Sequence, residues 1–390
     1  MEIFNYLLIV FQIIVGYNLF APFLFYCLWL ILRPSSKARL NDNFSIDYAI
    51  VVTAYEQIHT LPFVIESILR LNYSNYLVYV VADKCDISTL IFDDPKIIIL
   101  RPPVTLGSNT RSHQYAVEHF VRRHDMITII DSDNLVDSRY LLELNKFVDE
   151  GYSVIQGVRK AKNLNTNIAR LDAARDIFYH FYDGIVLHQV GSSATLSGSG
   201  MAFKFDIYSS FLKANDVVGA GFDKVLQAWL VKLNYRIAFA EKALVYDEKT
   251  AKSDQLVKQR SRWINTWFKY FFLGFKLMFL GTKSVNRNQF LFGSILLRPP
   301  LFIFLILSMI ALFINILIGK YLIALVWIVG FILFGASFLI SLRFSKADAS
   351  IYRSLVGIPK FIFYQLLSLL KVRKANSLSV ATKHEVTENH

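Results

Sequence analysis

Met126-Ile-Thr-Ile-Ile-Asp-Ser-Asp-Asn134 is a short apolar, β-rich run that stops on two aspartates. A run this short and this apolar suits a strand buried on both faces of a parallel sheet. The segments before it repeat the theme. Residues 111–123 carry helical spacing. Lys96-Ile-Ile-Ile-Leu100 and Leu77-Val-Tyr-Val-Val-Ala82 read as strands, residues 61–71 as a helix, and Tyr48-Ala-Ile-Val-Val-Thr53 as a fourth strand. Strands and helices alternating at this spacing predict βαβ units, and hence an α/β domain with a mostly parallel sheet over residues 43–266. Such sheets bind ligands just past the carboxyl ends of their strands. Here those ends read Thr53-Ala-Tyr-Glu56, Asp83-Lys-Cys-Asp86 and Asp131-Ser-Asp-Asn134.

The flanks are of another kind. The chain has 390 residues, 54% of them hydrophobic and 18% charged. That balance implies apolar blocks attached to a soluble part. Residues 3–32, 301–319 and 321–342 carry no charge, and each approaches or exceeds the ~20 residues that a helix needs to cross a bilayer. The first lacks a basic leader and a small-residue cleavage site, so residues 1–33 read as a retained anchor. Arg33, Lys37 and Arg39 follow it. Arg343, Lys346 and Arg353 follow the last block, and Lys320 alone separates the second from the third. Positive residues stay inside. The expectation is therefore a multi-pass protein of a cell membrane, with residues 33–300 and the C-terminal tail cytoplasmic and two spans over 299–343. Residues 267–298 mix Trp267, Phe268, Tyr270, Phe271, Phe272, Phe275, Met278 and Phe279 with Lys269 and Lys276. That mixture suits helices lying in the headgroup layer. A similar helix, ending at Lys371, Arg373 and Lys374, is expected within 344–390; further crossings are the alternative for both segments. Cys27 and Cys85 make neither a disulfide framework nor a cysteine metal site. The net charge of +12 fits a surface facing anionic headgroups. No aromatic–basic stripe or binding motif points to nucleic acid.

Five segments carry chemistry. Asp131 and Asp133, two residues apart past a strand, can hold Mg2+ or Mn2+ through oxygen ligands. Asp83 is placed to accept from a base or ribose, or to cap the next helix. Gln259-Arg-Ser-Arg-Trp263 offers fixed guanidinium donors suited to phosphate and a flat ring suited to a sugar; an anchor in the headgroup layer is the alternative. Ser197-Gly-Ser-Gly200 either lets a ligand approach the backbone or is a plain turn. Asp223, in Gly219-Ala-Gly-Phe-Asp223, opens a helix and is either its cap or a base.

Together, in this order, these segments resemble the membrane-bound branch of glycosyltransferase family 2, which includes cellulose, chitin and hyaluronan synthases. The resemblance runs from about residue 48 to residue 263 and extends to the flanking spans. Gln259 to Trp263 fits the Q-x-x-R-W signature in full. The resemblance implies a Rossmann-like GT-A fold that binds a UDP-sugar. It places Thr53, Tyr55 and Glu56 at the uridine, Asp83 at the base, and Asp131 and Asp133 on the metal, with Asp131 also beside the nucleotide. Ser199 and Gly200 would lie on the acceptor side, Asp223 would be the general base, and Gln259, Arg260, Arg262 and Trp263 would hold the diphosphate and acceptor sugar. Arg111 stands in for a family lysine that follows a glycine near Gly107. Two departures stand out: Phe222 replaces the family's glutamate before the base, and Ile-Asn-Thr follows Trp263 where the family carries glycine.

The implied activity is inverting transfer of a hexosyl or N-acetylhexosaminyl group to a hydroxyl of a growing β-linked poly- or oligosaccharide. Single transfer to a lipid-linked or other membrane acceptor is the alternative, and a non-catalytic membrane scaffold is the alternative of another class. Three spans make a thin channel wall, which association of copies would thicken.

Overall fold

The computed structural model describes residues 2–33, 45–88 and 90–372. Along the chain, α1 (Glu2–Leu32) precedes β1 (Tyr48–Tyr55), α2 (Leu61–Leu69), β2 (Tyr76–Asp83), β3 (Ile97–Leu100), α3 (Asn109–Glu118) and β4 (Met126–Asp131). Next come β5 (Leu135–Val136), α4 (Tyr140–Asp149), β6 (Val154–Ala161) and α5 (Asn167–Tyr179). A π-helix (His180–Val186) then leads into α6 (Leu187–Gln189), β7 (Met201–Lys204), α7 (Phe205–Ala214), α8 (Phe222–Lys232) and β8 (Ala238–Asp247). The remainder is helical: α9 (Ser253–Tyr270), α10 (Phe272–Lys283), α11 (Arg287–Leu297), α12 (Leu301–Leu317), α13 (Tyr321–Phe344), α14 (Ala349–Ser354) and α15 (Ile358–Leu369). Lys37, Arg39, Arg373, Lys374 and the tail 376–390 lie outside the described residues.

The strands form one eight-stranded sheet, ordered β3-β2-β1-β4-β7-β6-β8-β5. Strands β3, β2, β1 and β4 run parallel, as do β6 and β8, while β7 and β5 are antiparallel to their neighbours. The expected mostly parallel α/β sheet is present. Side chains alternate between its faces. Ala49 and Val51 of β1 join Ile127 and Ile129 of β4 in one core; Tyr48, Ile50, Val52 and Ala54 join Met126 and Ile130 in the other. The helix expected over 111–123 ends at Glu118. Phe120 leaves the helical path to pack on Tyr79, 4.3 Å between centroids, and on His124 at 5.2 Å.

Among the described residues, two helices are long and apolar enough to cross a membrane, Tyr6–Leu32 and Tyr321–Phe344. The third expected span is different. Helix α12 has 17 residues, and together with α11, from which it is bent by 73°, it is long and apolar enough to be one broken span or a re-entrant loop. The break is Arg298-Pro299-Pro300, where proline removes the backbone donors a continuous helix needs. Helix α1 packs against both α12 and α13. There Gln12 Oε1 accepts from Asn315 Nδ2 at 2.7 Å and from Trp327 Nε1 at 3.1 Å. Helices α10 and α11 form a hairpin whose backbones meet at Gly274 and Gly293. Phe268, Phe272, Phe275 and Phe279 stay exposed along α9 and α10.

Strands β6 and β8 slip register after Gly157. A Cβ at Gly157 would lie 2.5 Å from the Ala243 carbonyl oxygen, so Gly157→Ala must part the two strands. The expected cost is roughly 1–3 kcal/mol, the scale of a core overpacked by a methyl group. Thermal unfolding of the variant in nanodiscs reads it, and an unchanged midpoint would show that this strand crossing gives way easily.

Candidate active site

The parallel strands deliver their polar ends in a row. Thr53 of β1 is level with Asp131 of β4, and Tyr55 is level with Asp83 of β2. Glu56 and Lys84, one residue beyond β1 and β2, both take left-handed backbone angles, φ 60° and 55°. They pair at 2.7 Å in solvent, and the Lys84 hydrogen bond lowers the Glu56 carboxyl below its ordinary range. Asp83 is buried and caps no helix. Its two oxygens accept from the backbone N–H of Leu106 at 2.9 Å and Gly107 at 2.8 Å, bracing the loop ahead of α3. Arg111 points elsewhere, into an exposed bidentate pair with Asp216. None of Thr53, Tyr55, Glu56, Asp83 and Arg111 lines the main cavity.

That cavity holds about 530 Å3, and its wall includes Asp131, Asp133, Ser197, Asp223, Gln259, Arg260, Arg262 and Trp263. Four widely separated stretches of chain therefore converge on one space. The Ser197–Gly200 loop is more than a turn, because it builds the aspartate corner. Ser199 is buried, and its Oγ accepts from the Asp131 backbone N–H at 3.0 Å and from Asn134 Nδ2 at 2.8 Å. Gln156 of β6 staples the loop in turn: its Oε1 accepts from Ser197 N–H at 2.9 Å, and its Nε2 donates to the Ser199 carbonyl at 3.0 Å. Gly200, with φ +66°, ties the loop to β4 by donating to the Ile129 carbonyl at 2.8 Å. Ser199 and Gly200 thus act behind the wall and do not line it.

A run of buried opposite charges crosses the cavity wall. Arg159 donates to the Ser197 carbonyl at 2.7 Å and to Asp247 at 2.6 Å. Lys249 pairs with Asp247 at 2.7 Å and also with Asp176. Arg175 joins Asp176 to Asp172 on α5, and Asp172 pairs with Arg260 on α9. Burial disfavours each charge, and the partners answer it. Asp247, Asp131, Asp176 and Asp133 together hold Arg159 more firmly protonated than usual. Asp176 is kept well below the usual carboxylate range because Lys249, Arg175 and His180 outweigh its desolvation. Arg260 is the exception: burial and the nearby Arg175 push it down to about 10 despite Asp172. The sequence reading missed Arg159, Asp172, Arg175, Asp176 and Lys249. The signal was there in Arg170-Leu-Asp-Ala-Ala-Arg-Asp176, charges at helical spacing inside an otherwise small and apolar helix.

Helix α9 carries the signature. Arg260 and Trp263 are three residues apart on one face, and the Arg260 guanidinium lies 3.9 Å from the Trp263 ring centroid, with Arg175 at 4.4 Å. Trp263 therefore helps hold two cations in place. Arg260 Nε and Nη1, Arg175 Nε and Trp267 Nε1 are buried and lack a hydrogen-bond partner among the described residues. Unused donors along a cavity wall are an unmet demand for an acceptor-rich ligand. Asp223 sits in the first turn of α8. The N-cap is Gly221, with φ +99°, so Asp223 is not the cap and its side chain is left to the cavity. A Cβ at Gly221 would lie 2.5 Å from Thr266 Cγ2 on α9; glycine lets the two helix ends meet. Phe222, in the glutamate's place, is buried with its ring 5.5 Å from that of His113.

Asp131 and Asp133 supply two carboxylates, and no group of three or more His, Cys, Asp or Glu suited to a metal occurs among the described residues. Two carboxylates fit a Mg2+-like ion that takes its remaining oxygens from substrate phosphates and water.

Asp172→Ala leaves Arg260 buried without its carboxylate and Arg175 with Asp176 alone, and a loss of about 3–5 kcal/mol is expected; chemical denaturation checks it. Acid acts on the same region. Burial lowers His180, on the cavity wall, to about 4. The unfolded chain therefore binds a proton below pH ~6.5 that the folded chain refuses. Stability is full above that pH and falls progressively as pH drops toward 4, by roughly 3 kcal/mol from this residue. Unfolding midpoints measured from pH 7 to pH 4 should follow that course, with a shallower slope for His180→Gln.

Comparison with known proteins agrees with this architecture. The family model described as glycosyltransferase like family 2 matches residues 46–266. Among solved structures, the mannosyltransferase PcManGT from Pyrobaculum calidifontis, in complex with GDP-Man and Mn2+, superposes with a TM-score of 0.54 at 11% identity, covering 94% of this chain and 99% of that one. S. aureus TarS 1-349 in complex with UDP-GlcNAc gives a TM-score of 0.39 at 13% identity, covering 64% and 90%. No curated protein matches by sequence. The matched segment is more than half of the chain and spans the whole sheet and the carboxylate-bearing part of the cavity wall, so the chain belongs to the glycosyltransferase-like family 2.

Proposed function

We propose that this protein moves a sugar from a nucleotide sugar to an acceptor hydroxyl at the cytoplasmic face of a cell membrane, with inversion of configuration. One observation carries the reading: Asp223, the Asp131/Asp133 pair and the Gln259–Trp263 face all border a single cavity. Asp223 is the general base and takes the proton of the acceptor hydroxyl. The freed oxygen attacks the anomeric carbon from the side opposite the nucleotide. The bond from that carbon to the diphosphate oxygen breaks, and an α-linked donor gives a β-linked product. Asp131 and Asp133 would hold Mg2+ or Mn2+, which supplies positive charge to the leaving diphosphate. Arg262 and the unused donors of Arg260 face the same group. Thr53, Tyr55 and Asp83 take the nucleoside at the strand ends, which requires the 106–107 loop to release part of Asp83. The resemblance supports uridine as the base. The GDP-Man and UDP-GlcNAc of the similar structures make both nucleotides worth testing.

Single transfer is favoured over chain extension. The two helices long and apolar enough to cross among the described residues, or three with the bent pair, would give little wall for a polymer channel, and the Trp263 ring on which a chain would stack already carries two guanidinium groups.

The protein in nanodiscs, offered UDP- and GDP-sugars with Mn2+ or Mg2+, should release nucleoside diphosphate from one donor. Asp223→Asn should lower transfer by at least ~100-fold, the lower end of general-base catalysis, while Asp133→Ala raises the metal concentration needed. Labelled products should migrate as single additions on a gel. A ladder of lengths would replace single transfer with synthesis, and undiminished turnover in Asp223→Asn would remove the base assignment.

A further inference from the structure

The wall of the cavity that holds the carboxylates has a second part of opposite character. It is formed by Leu273 of α10, Ile295 and Leu296 of α11, and Leu301 and Phe302 of α12. Arg298, on the same wall, pairs with Asp183 of the π-helix and lies 5.1 Å from the Tyr179 ring centroid. We infer that the acceptor is an amphiphile: its hydroxyl-bearing head reaches Asp223, and its hydrocarbon tail lies along the Leu296–Leu301 end of the same cavity. The inference rests on the transferase reading and adds the class of acceptor.

Three observations support it. First, a nucleotide sugar is polar throughout and has no use for an aliphatic wall, whereas a hydrocarbon chain gains by leaving water there. Second, the apolar end is built at the bend between α11 and α12, beside Pro299 and Pro300. Helix α12 then runs 17 residues without a charge, so a tail leaving the cavity at Leu301 continues along a helix face suited to lipid. Third, residues on both sides of the bend, Leu296 on α11 and Leu301 and Phe302 on α12, line the same space that Asp223 borders.

The test uses the full-length protein in nanodiscs with the donor it turns over, and as acceptors the methyl, butyl, hexyl and octyl glycosides of glucose, N-acetylglucosamine and mannose below their micelle concentrations. KM should fall about tenfold for every two methylenes, the fold-change that follows from roughly 0.8 kcal/mol per buried CH2. Partition into the disc lipid alone would also favour long tails, so Leu296→Trp and Leu301→Trp are run beside it. Each fills the apolar end and should flatten the dependence. The octyl-to-methyl KM ratio is taken within each variant, so that a loss of folded protein cancels. A KM independent of tail length, a length dependence that survives both tryptophan variants, free oligosaccharides serving as well as alkylated sugars, or donor hydrolysis with no transfer to any member of the series would each overturn the amphiphile. Absence of donor turnover in every arm would instead overturn the transferase reading beneath it.

Discussion

Arg159, Asp247, Lys249, Asp176, Arg175, Asp172 and Arg260 form a sequence of alternating charges that passes from strand β6 through β8 and α5 to helix α9. Each of these groups is expensive to bury alone. The arrangement is tolerable only as a whole, because every member between Arg159 and Arg260 answers two neighbours. Its geometry therefore fixes where α5 and α9 stand relative to the sheet. The carboxylates of Asp131 and Asp133 feel the Arg159 end of it, while Trp263 rests on the Arg260 end. Shifting any one element would strand a charge in a poorly solvated wall. That rigidity suits a site that must present fixed donors to a departing diphosphate.

The same logic joins the catalytic domain to the apolar helices. Asp183 belongs to the π-helix, a rare geometry that recurs at functional sites. Its partner Arg298 is the last residue before the two prolines that divide α11 from α12. The ion pair fixes the bend against the domain. Trp29 of α1 donates to Gln189 Oε1 at 2.7 Å just beyond the π-helix, adding a second polar tie. The domain and the helices share one hydrophobic cluster, in which Phe178, Phe181 and Phe203 pack with Leu19, Phe304, Trp327 and Phe334.

What could be read in the sequence follows the range of the interactions. Strands β1 to β4 are legible because a buried parallel strand must be apolar along its length, and Met126 to Ile130 says so by itself. Strands β6 to β8 are less so. They mix directions, and Gln156, Arg159 and Glu241 interrupt their apolar pattern for reasons that lie in other segments. Asp223 is legible as a residue apart from its role, because Gly221 takes the cap and leaves the carboxylate to the cavity. The ion chain is nearly invisible, since Asp172 and Arg260 are 88 positions apart and a charge on a helix ordinarily signals a solvated face. The 298–300 break is half legible: the proline pair announces a stop, but whether α12 crosses separately or continues α11 around a bend depends on the Asp183 partner.

The two ends of the cavity give the reaction a direction. On the proposed reading the nucleotide comes from the sheet side, where Thr53, Tyr55 and Asp83 stand at strand ends, because parallel strands direct their carboxyl ends toward one edge. The apolar residues of the cavity wall belong to the helices, chiefly α11 and α12. Asp223, in the first turn of α8, borders the same space. An acceptor arriving from the helices brings its hydroxyl to the face of the sugar turned away from the diphosphate, which is the approach that inversion requires. Had both substrates shared the strand-end side, the base would have had to lie beside the metal carboxylates and compete with them for cations. On the proposed reading, separate entrances would let Asp131 and Asp133 serve the leaving group while Asp223 serves the nucleophile.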